Sequence, residues 1–386
     1  MRCLAVAALT TFTTLQLAGC TEPASPSRES LTPSAPVFGK SPGINTTRLG
    51  TLPNGGASSA WGINSAGTVI VGYAYPSNAN GIPFRAVQWT LSNGTWVISD
   101  LAVAFPVGTT YSIAYDLNSA GTKAGYMRLA SGDDHAYTLT ATGVVTDLHA
   151  LLCAGDDGRK TSYAHDVSEN GEAVGTRYGP GLPSAAFYWD PSTGCAELLP
   201  SSAPSDATSA EDINDYGVIA GFVVGEGHTT PVRWTPLANG TWDLDTLPLP
   251  GGIVSARPSA INNEGEIVGT ARDAANEAFP ICWEVTVDAN GVATITAMLM
   301  PMLGESPYAG YPNTEVTSIN EAGDAAGWGI SSTKQNAARW PATGGVHSLV
   351  GSGTISSARD LNDKKQIVGS VLPSNGPIEA TLWTLR

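Results

Sequence analysis

Four aspartates in this 386-residue chain occupy one position of a recurring pattern. Asp116, Asp166, Asp212 and Asp360 each stand two residues before the Asn or Ser that anchors a short motif. Carboxylates repeated in this way could converge into a ring, and oxygen ligands of that kind suit a hard cation such as Ca²⁺. The competing reading is structural: a residue that recurs from copy to copy serves the copy, here by bonding neighbouring backbone. The structural reading is preferred, and no metal or cofactor is assigned. A second group of residues lies where the copies differ. Asp156, Asp157, Arg159 and Tyr163 fall in "LLCAGDDGRKTSY", and Tyr308 and Tyr311 in "MPMLGESPYAGYPNTEV". Aromatics beside carboxylates can stack on and hydrogen-bond a sugar or a peptide, so these six are the candidate ligand contacts. "DDGRK" lacks the spaced acids of a calcium loop.

Motifs for catalysis are otherwise missing. The sequence has no His-Glu-x-x-His, no Gly-x-Ser-x-Gly and no phosphate-cradling glycine loop. His135, His149, His165, His228 and His347 are scattered without a metal spacing. Paired acids for glycoside cleavage would look like any Asp or Glu, so a site assembled from distant segments stays open.

The elements that position these residues repeat. The motif reads "AWGINSAGTVIVG", "AYDLNSAGTKAG", "AHDVSENGEAVG", "AEDINDYGVIAG", "PSAINNEGEIVG", "VTSINEAGDAAG" and "ARDLNDKKQIVG". Its polar anchor is Asn64, Asn118, Ser168, Asn214, Asn262, Asn320 and Asn362. A period near 50 residues signals a repeat architecture. A tryptophan follows each anchor at a near-constant offset: Trp89, Trp189, Trp234, Trp283, Trp340 and Trp383, with Leu139 in the second copy. This set is expected in the core between repeats. Each repeat holds four short strands, seen in the fourth copy as "TSAEDIN", "GVIAGFV", "PVRWTP" and "TWDLDTL". Asn-x-x-Gly joins the first two as a turn; Lys365 replaces that Gly in the seventh copy, so its turn should be strained or of another type.

Four antiparallel strands in about 50 residues make one blade of a β-propeller. The chain ends after the third strand of the seventh copy, and a spare strand, Thr46 to Leu52, precedes the first. We therefore expect an all-β, seven-bladed propeller over residues 46–386, closed by its N-terminal strand. An open β-repeat solenoid is the alternative, but it has no use for that offset. The pattern of Ser or Ala, Asp-Ile-Asn, Gly and Val-Val-Gly, followed by "DHAYTL", "SAAFYW" or "EATLW", resembles the HAF-repeat extracellular proteins of bacteria. The resemblance spans the repeats and implies a surface location and a propeller. It brings no catalytic residues.

The remaining features bear on location. Residues 1–19 read as a signal peptide that ends in "LAGC", Leu17 to Cys20, and this tetrad resembles the bacterial lipobox. Cys20 would then carry the lipid anchor. Residues 20–45 form a Pro- and Ser-rich tether. A net charge of −15 argues against nucleic acid as a partner. Cys153 and Cys195 are expected on opposite faces of the disc and Cys282 as a buried free thiol, so no disulfide is expected. The expected protein is a monomeric envelope lipoprotein, periplasmic or at the cell surface, with the outer membrane favoured in a Gram-negative host. It would bind a glycan or protein through the loops between blades. The alternatives are a polysaccharide-acting enzyme with acids around the channel, and a structural envelope protein.

Overall fold

The computed structural model describes residues 43–77, 83–287, 293–304, 314–331, 334–350 and 354–386. Seven antiparallel four-stranded sheets form a seven-bladed propeller. Six blades are built from consecutive strands. The seventh takes its outer strand from the other end of the chain: Ile44–Arg48 pairs antiparallel with Glu379–Leu385. The closing strand thus begins two residues before the expected Thr46. The chain then continues through buried Leu49 and Leu52, which pack in the first blade's core. Because Ile44–Arg48 completes the last sheet, Glu379–Leu385 is not left as a bare edge where the ring meets itself.

The cores lie between neighbouring blades. The third-strand tryptophans are all buried there. The indole N–H of Trp234, Trp283 and Trp340 donates to the carbonyl of Pro200, Pro248 and Pro301, at 2.8, 2.7 and 2.7 Å. Each of those prolines follows the outer strand of the preceding blade. The tryptophan therefore locks one blade to the connection that leaves its neighbour. Among the described residues, helix is confined to two 3₁₀ turns, Leu101–Ala104 and His149–Leu151.

The motif anchors make a second set of links around the axis. The Nδ2 of Asn214, Asn262, Asn320 and Asn362 donates to the backbone carbonyl of the anchor in the next blade, and Asn362 reaches Asn64 across the closure at 3.0 Å. The Oδ1 of each of these asparagines meanwhile accepts from its own turn, as in Val218 N–H to Asn214 at 3.0 Å. The Lys365 turn keeps the same Lys365 N–H to Asn362 carbonyl closure and places Lys365 at φ 59°. The turn is of the common type, and the strain falls on a side chain in the left-handed region.

The cysteines correct the sequence-based expectation. Cys153 and Cys195 form a disulfide, with Cα atoms 5.1 Å apart. The strand assignment stands; the assumed path between strands does not. After the second blade's outer strand, Val145–Asp147, the chain turns through His149–Leu151 and runs beside the outer strand of the third blade. Leu152 bridges Ala196 in parallel, and the Cys153 N–H donates to the Ala196 carbonyl at 2.8 Å. The two cysteines that should lie on opposite faces thereby become neighbours. Cys282 is buried in a third strand and is not the free thiol that was expected.

Candidate functional site in the central channel

Every innermost strand carries the same irregularity. Its register slips at the same point in each blade, leaving one residue unpaired there: Trp61, Tyr115, His165, Glu211, Ser259, Thr317 and Arg359 in blades one to seven; blade five slips a second time at Val254. An unpaired bulge residue re-aims its side chain. All seven line one cavity of about 340 Å³ on the axis. The glycine that closes each motif is explained by the same bulge. A Cβ at Gly125, Gly175 or Gly221 would lie 2.0, 1.9 or 2.1 Å from the carbonyl of the first strand opposite. The bulge crowds the second strand so closely that a hydrogen is all that fits.

The walls are aromatic on one side and charged on the other. Trp61 and Tyr115 pack 4.9 Å apart, and the Arg359 guanidinium lies 4.4 Å above the Trp61 ring. Burial pushes the Tyr115 hydroxyl well above its usual range, with nearby Tyr126 adding to it, so it stays a neutral donor. Across the cavity, His165 Nδ1 lies 2.7 Å from the Ala210 carbonyl, which can only accept. That nitrogen thus carries the proton, and it also approaches Glu211 at 3.8 Å.

The floor is made of the four aspartates. Each carboxylate binds the backbone of the next blade round. Asp360 accepts the Ile63 N–H, Asp166 the Ile213 N–H and Asp212 the Ile261 N–H, at 2.8, 2.9 and 2.8 Å. Asp116 is 3.4 Å from the Val167 N–H. This is the structural role that the repeat implies. Burial raises Asp116 and Asp212 well above the usual carboxylate range, and the neighbouring Asp166 raises both further by charge and hydrogen bonding. Asp360 is pushed up to about 6 by burial, although the Ser318 hydroxyl and two backbone N–H groups oppose it. Among the described residues, no three His, Cys, Asp or Glu side chains are grouped to hold a metal.

The cavity opens toward the face that carries the loops between blades. There it joins a groove of about 710 Å³ over blades three to six, and both share His165, Glu211, Ser259 and Glu315. Phe222, Arg257, Arg272 and Trp328 border the groove.

The residues singled out from the sequence sit elsewhere on this face. Asp157 is clamped between Arg159 at 2.9 Å and the buried Arg177 at 3.0 Å. Burial would raise its carboxyl, but Arg177 and the Arg159 backbone N–H outweigh that and hold it at about 2. Arg159 also donates to the Pro183 carbonyl at 2.7 Å. Asp156 is exposed, with Lys160 3.7 Å away. The Tyr163 hydroxyl donates to Asp134 at 3.1 Å, and its ring packs against Tyr126 at 4.7 Å. Asp156, Asp157, Arg159 and Tyr163 thus cluster where blades two and three meet, and none of them lines the channel cavity. Tyr308 and Tyr311 lie outside the described residues. The sequence reading passed over the seven bulge residues. Their signal was there: the position before Gly62, Asp116, Asp166, Asp212, Ala260, Ser318 and Asp360 holds a different residue in every copy.

No protein-family model matches this sequence, and neither does any curated protein sequence. Solved structures of similar fold exist at low identity. An oligogalacturonate lyase in complex with manganese aligns over 90% of this chain and 95% of its own, with 13% identity and a TM-score of 0.54. A puromycin hydrolase aligns at 15% identity over 85% of this chain, with a TM-score of 0.51. Prolyl oligopeptidase B from Galerina marginata aligns at 10% identity over 83%, also with a TM-score of 0.51. The chain spans about half the length of the latter two, 51% and 47%. At these identities the likeness is one of fold.

Proposed function

We propose that this protein is a cell-envelope lipoprotein whose propeller binds a glycan or a protein segment at the mouth of its channel. The observation that carries the reading is the bulge ring. A position that only maintained the fold would repeat one residue type, as the motif Asn and Gly do. Here seven blades aim seven different side chains into one cavity. Aromatic faces, an arginine, a carboxylate, an imidazole and two hydroxyls in one concave site suit a ligand with both flat apolar and hydrogen-bonding parts. The site opens on the face of the loops between blades, so Asp156, Tyr163, Tyr308 and Tyr311 are candidates for an outer rim. The lipobox-like "LAGC" and the tether that follows support an anchor at Cys20, and the repeats support HAF-type membership. The proposed location is the periplasm or cell surface.

A glycan array tests the binding reading. Wild-type protein should bind, and Trp61→Ala with Tyr115→Ala should lose the signal without losing the fold. An unchanged signal in that double variant would move the site away from the channel. Labelling cells with a palmitate analogue tests the anchor, because Cys20→Ser should abolish it.

One observation favours a second reading, an enzyme acting on polysaccharide. Asp116, Asp212 and Asp360 are carboxyls with raised proton affinity on the floor of the same cavity, and raised carboxyls can serve as general acids. A propeller of this size also serves as an oligogalacturonate lyase. Signal that is present cold and lost warm, with shortened glycan released, would support that reading.

A further inference from the structure

The protein is strongly acidic, with 34 Asp and Glu against 19 Lys and Arg, so an arginine has many carboxylates to choose from. Most of the described arginines take one. Arg48, Arg85, Arg128, Arg159, Arg177, Arg233 and Arg339 all lie within ion-pair distance of an acid. Apart from the C-terminal Arg386, the described arginines without such a partner are Arg257, Arg272 and Arg359. All three border the channel cavity and its groove. Two are held by stacking, which leaves their N–H edges unused: Arg359 lies over Trp61 at 4.4 Å and Arg257 over Phe222 at 4.7 Å. Arg272 is steadied by the Asn276 carbonyl at 3.1 Å. A planar guanidinium pre-oriented on an aromatic ring is ready for a carboxylate.

The same walls hold acceptors. Glu211, Glu315 and Ser259 line both the cavity and the groove that the arginines border, and Thr317 lines the cavity. A purely anionic ligand would be repelled by those carboxylates. One that also carries hydroxyl groups would donate to them. Trp61 and Tyr115 offer apolar surface for the C–H face of a sugar ring.

We infer that the ligand of this site is an acidic saccharide of the uronic-acid class. Arg359, Arg257 and Arg272 read its carboxylates, and Glu211 and Glu315 accept from its hydroxyls. The inference rests on the channel-mouth reading above and narrows it.

Calorimetric titration of the full-length chain in detergent tests it. The probes are galacturonate, mannuronate and glucuronate trimers, their methyl esters, matched neutral trimers and hexaglutamate. At least one uronate should bind, and its ester should bind at least tenfold more weakly. Arg359→Gln and Arg257→Gln should each remove most of that preference, and Arg48→Gln, far from the site, should not. The ester comparison needs no substitution, so a misfolded variant cannot obscure it. Equal binding of acid and ester, or binding of neutral trimers alone, would overturn the acidic class and leave the channel site standing. Hexaglutamate binding as tightly as the best uronate would overturn the saccharide. Failure of every saccharide would overturn both.

Discussion

The bulge ring makes a steric prediction that can be worked out at Gly221. A Cβ placed there would lie 2.1 Å from the Ser209 carbonyl oxygen, 2.7 Å from Trp234 Cζ3 and 3.1 Å from Ala210 Cα. An ordinary carbon–oxygen contact is about 1 Å longer than the first of these. Neither side can yield cheaply. Ser209 and Ala210 belong to the paired innermost strand, next to the bulge. Trp234 is buried and tied to the Pro200 carbonyl. Overpacking of a rigid core costs about 1–3 kcal/mol, and a backbone clash belongs at the upper end. Gly221→Ala should thus cost about 3 kcal/mol, or roughly 4 °C in melting temperature for a chain of this length. It should also push Glu211 out of the cavity and weaken ligand binding. Gly251→Ala is the control, since its Cβ would meet nothing within 4 Å and its φ is not positive. It should change stability by no more than about 0.5 kcal/mol. Calorimetric melting of both variants decides. Equal melting temperatures would refute the claim that the bulge dictates the motif glycine.

Other perturbations bear on closure, strain and the aspartate floor. Lys365→Gly relieves a left-handed lysine and should stabilise the chain by about 1 kcal/mol, read as a higher denaturation midpoint. Deleting Ile44–Arg48 strips the seventh blade of its outer strand and should abolish the single melting transition. Asp360 has its folded value above its unfolded one. Its contribution is therefore intact below about 4 and lost as the pH rises through about 6, on the order of 3 kcal/mol in all. Asp116 and Asp212 act in the same direction, so melting temperature should fall between pH 4 and 7. Asp116→Asn keeps a hydrogen-bond donor toward Asp166 without the charge, and should flatten that fall.

How much could be read from sequence varies by feature, for physical reasons. Periodicity reports side chains that recur, so the blades, the anchoring asparagines and Trp234, Trp283 and Trp340 were legible. The ring closure was legible in the phase of the repeat, and only its start moved, from Thr46 to Ile44. A bulge is a backbone event with no residue type of its own. Trp61, Tyr115, His165, Glu211 and Arg359 share nothing but position, and variation at one fixed position reads as noise until the register is seen. Gly72, Gly125 and Gly221 were the overlooked clue, since they sit in strands where glycine has no turn to make. The Cys153–Cys195 bridge was missed because counting strands places residues on faces but does not trace the connection that carries Leu152 alongside Ala196. Asp157 and Arg159 looked available for a ligand because sequence cannot show that Arg177 already holds Asp157.

The proposed meeting place of ligand and protein is the channel. Photo-crosslinking tests this directly: a bound glycan carrying a diazirine is irradiated and the modified peptides are mapped by mass spectrometry. Adducts are predicted on Trp61, Tyr115 and His165, from three different blades at once. Adducts confined to the outer-edge groove around Tyr188, Tyr216 and Trp242 would contradict the account.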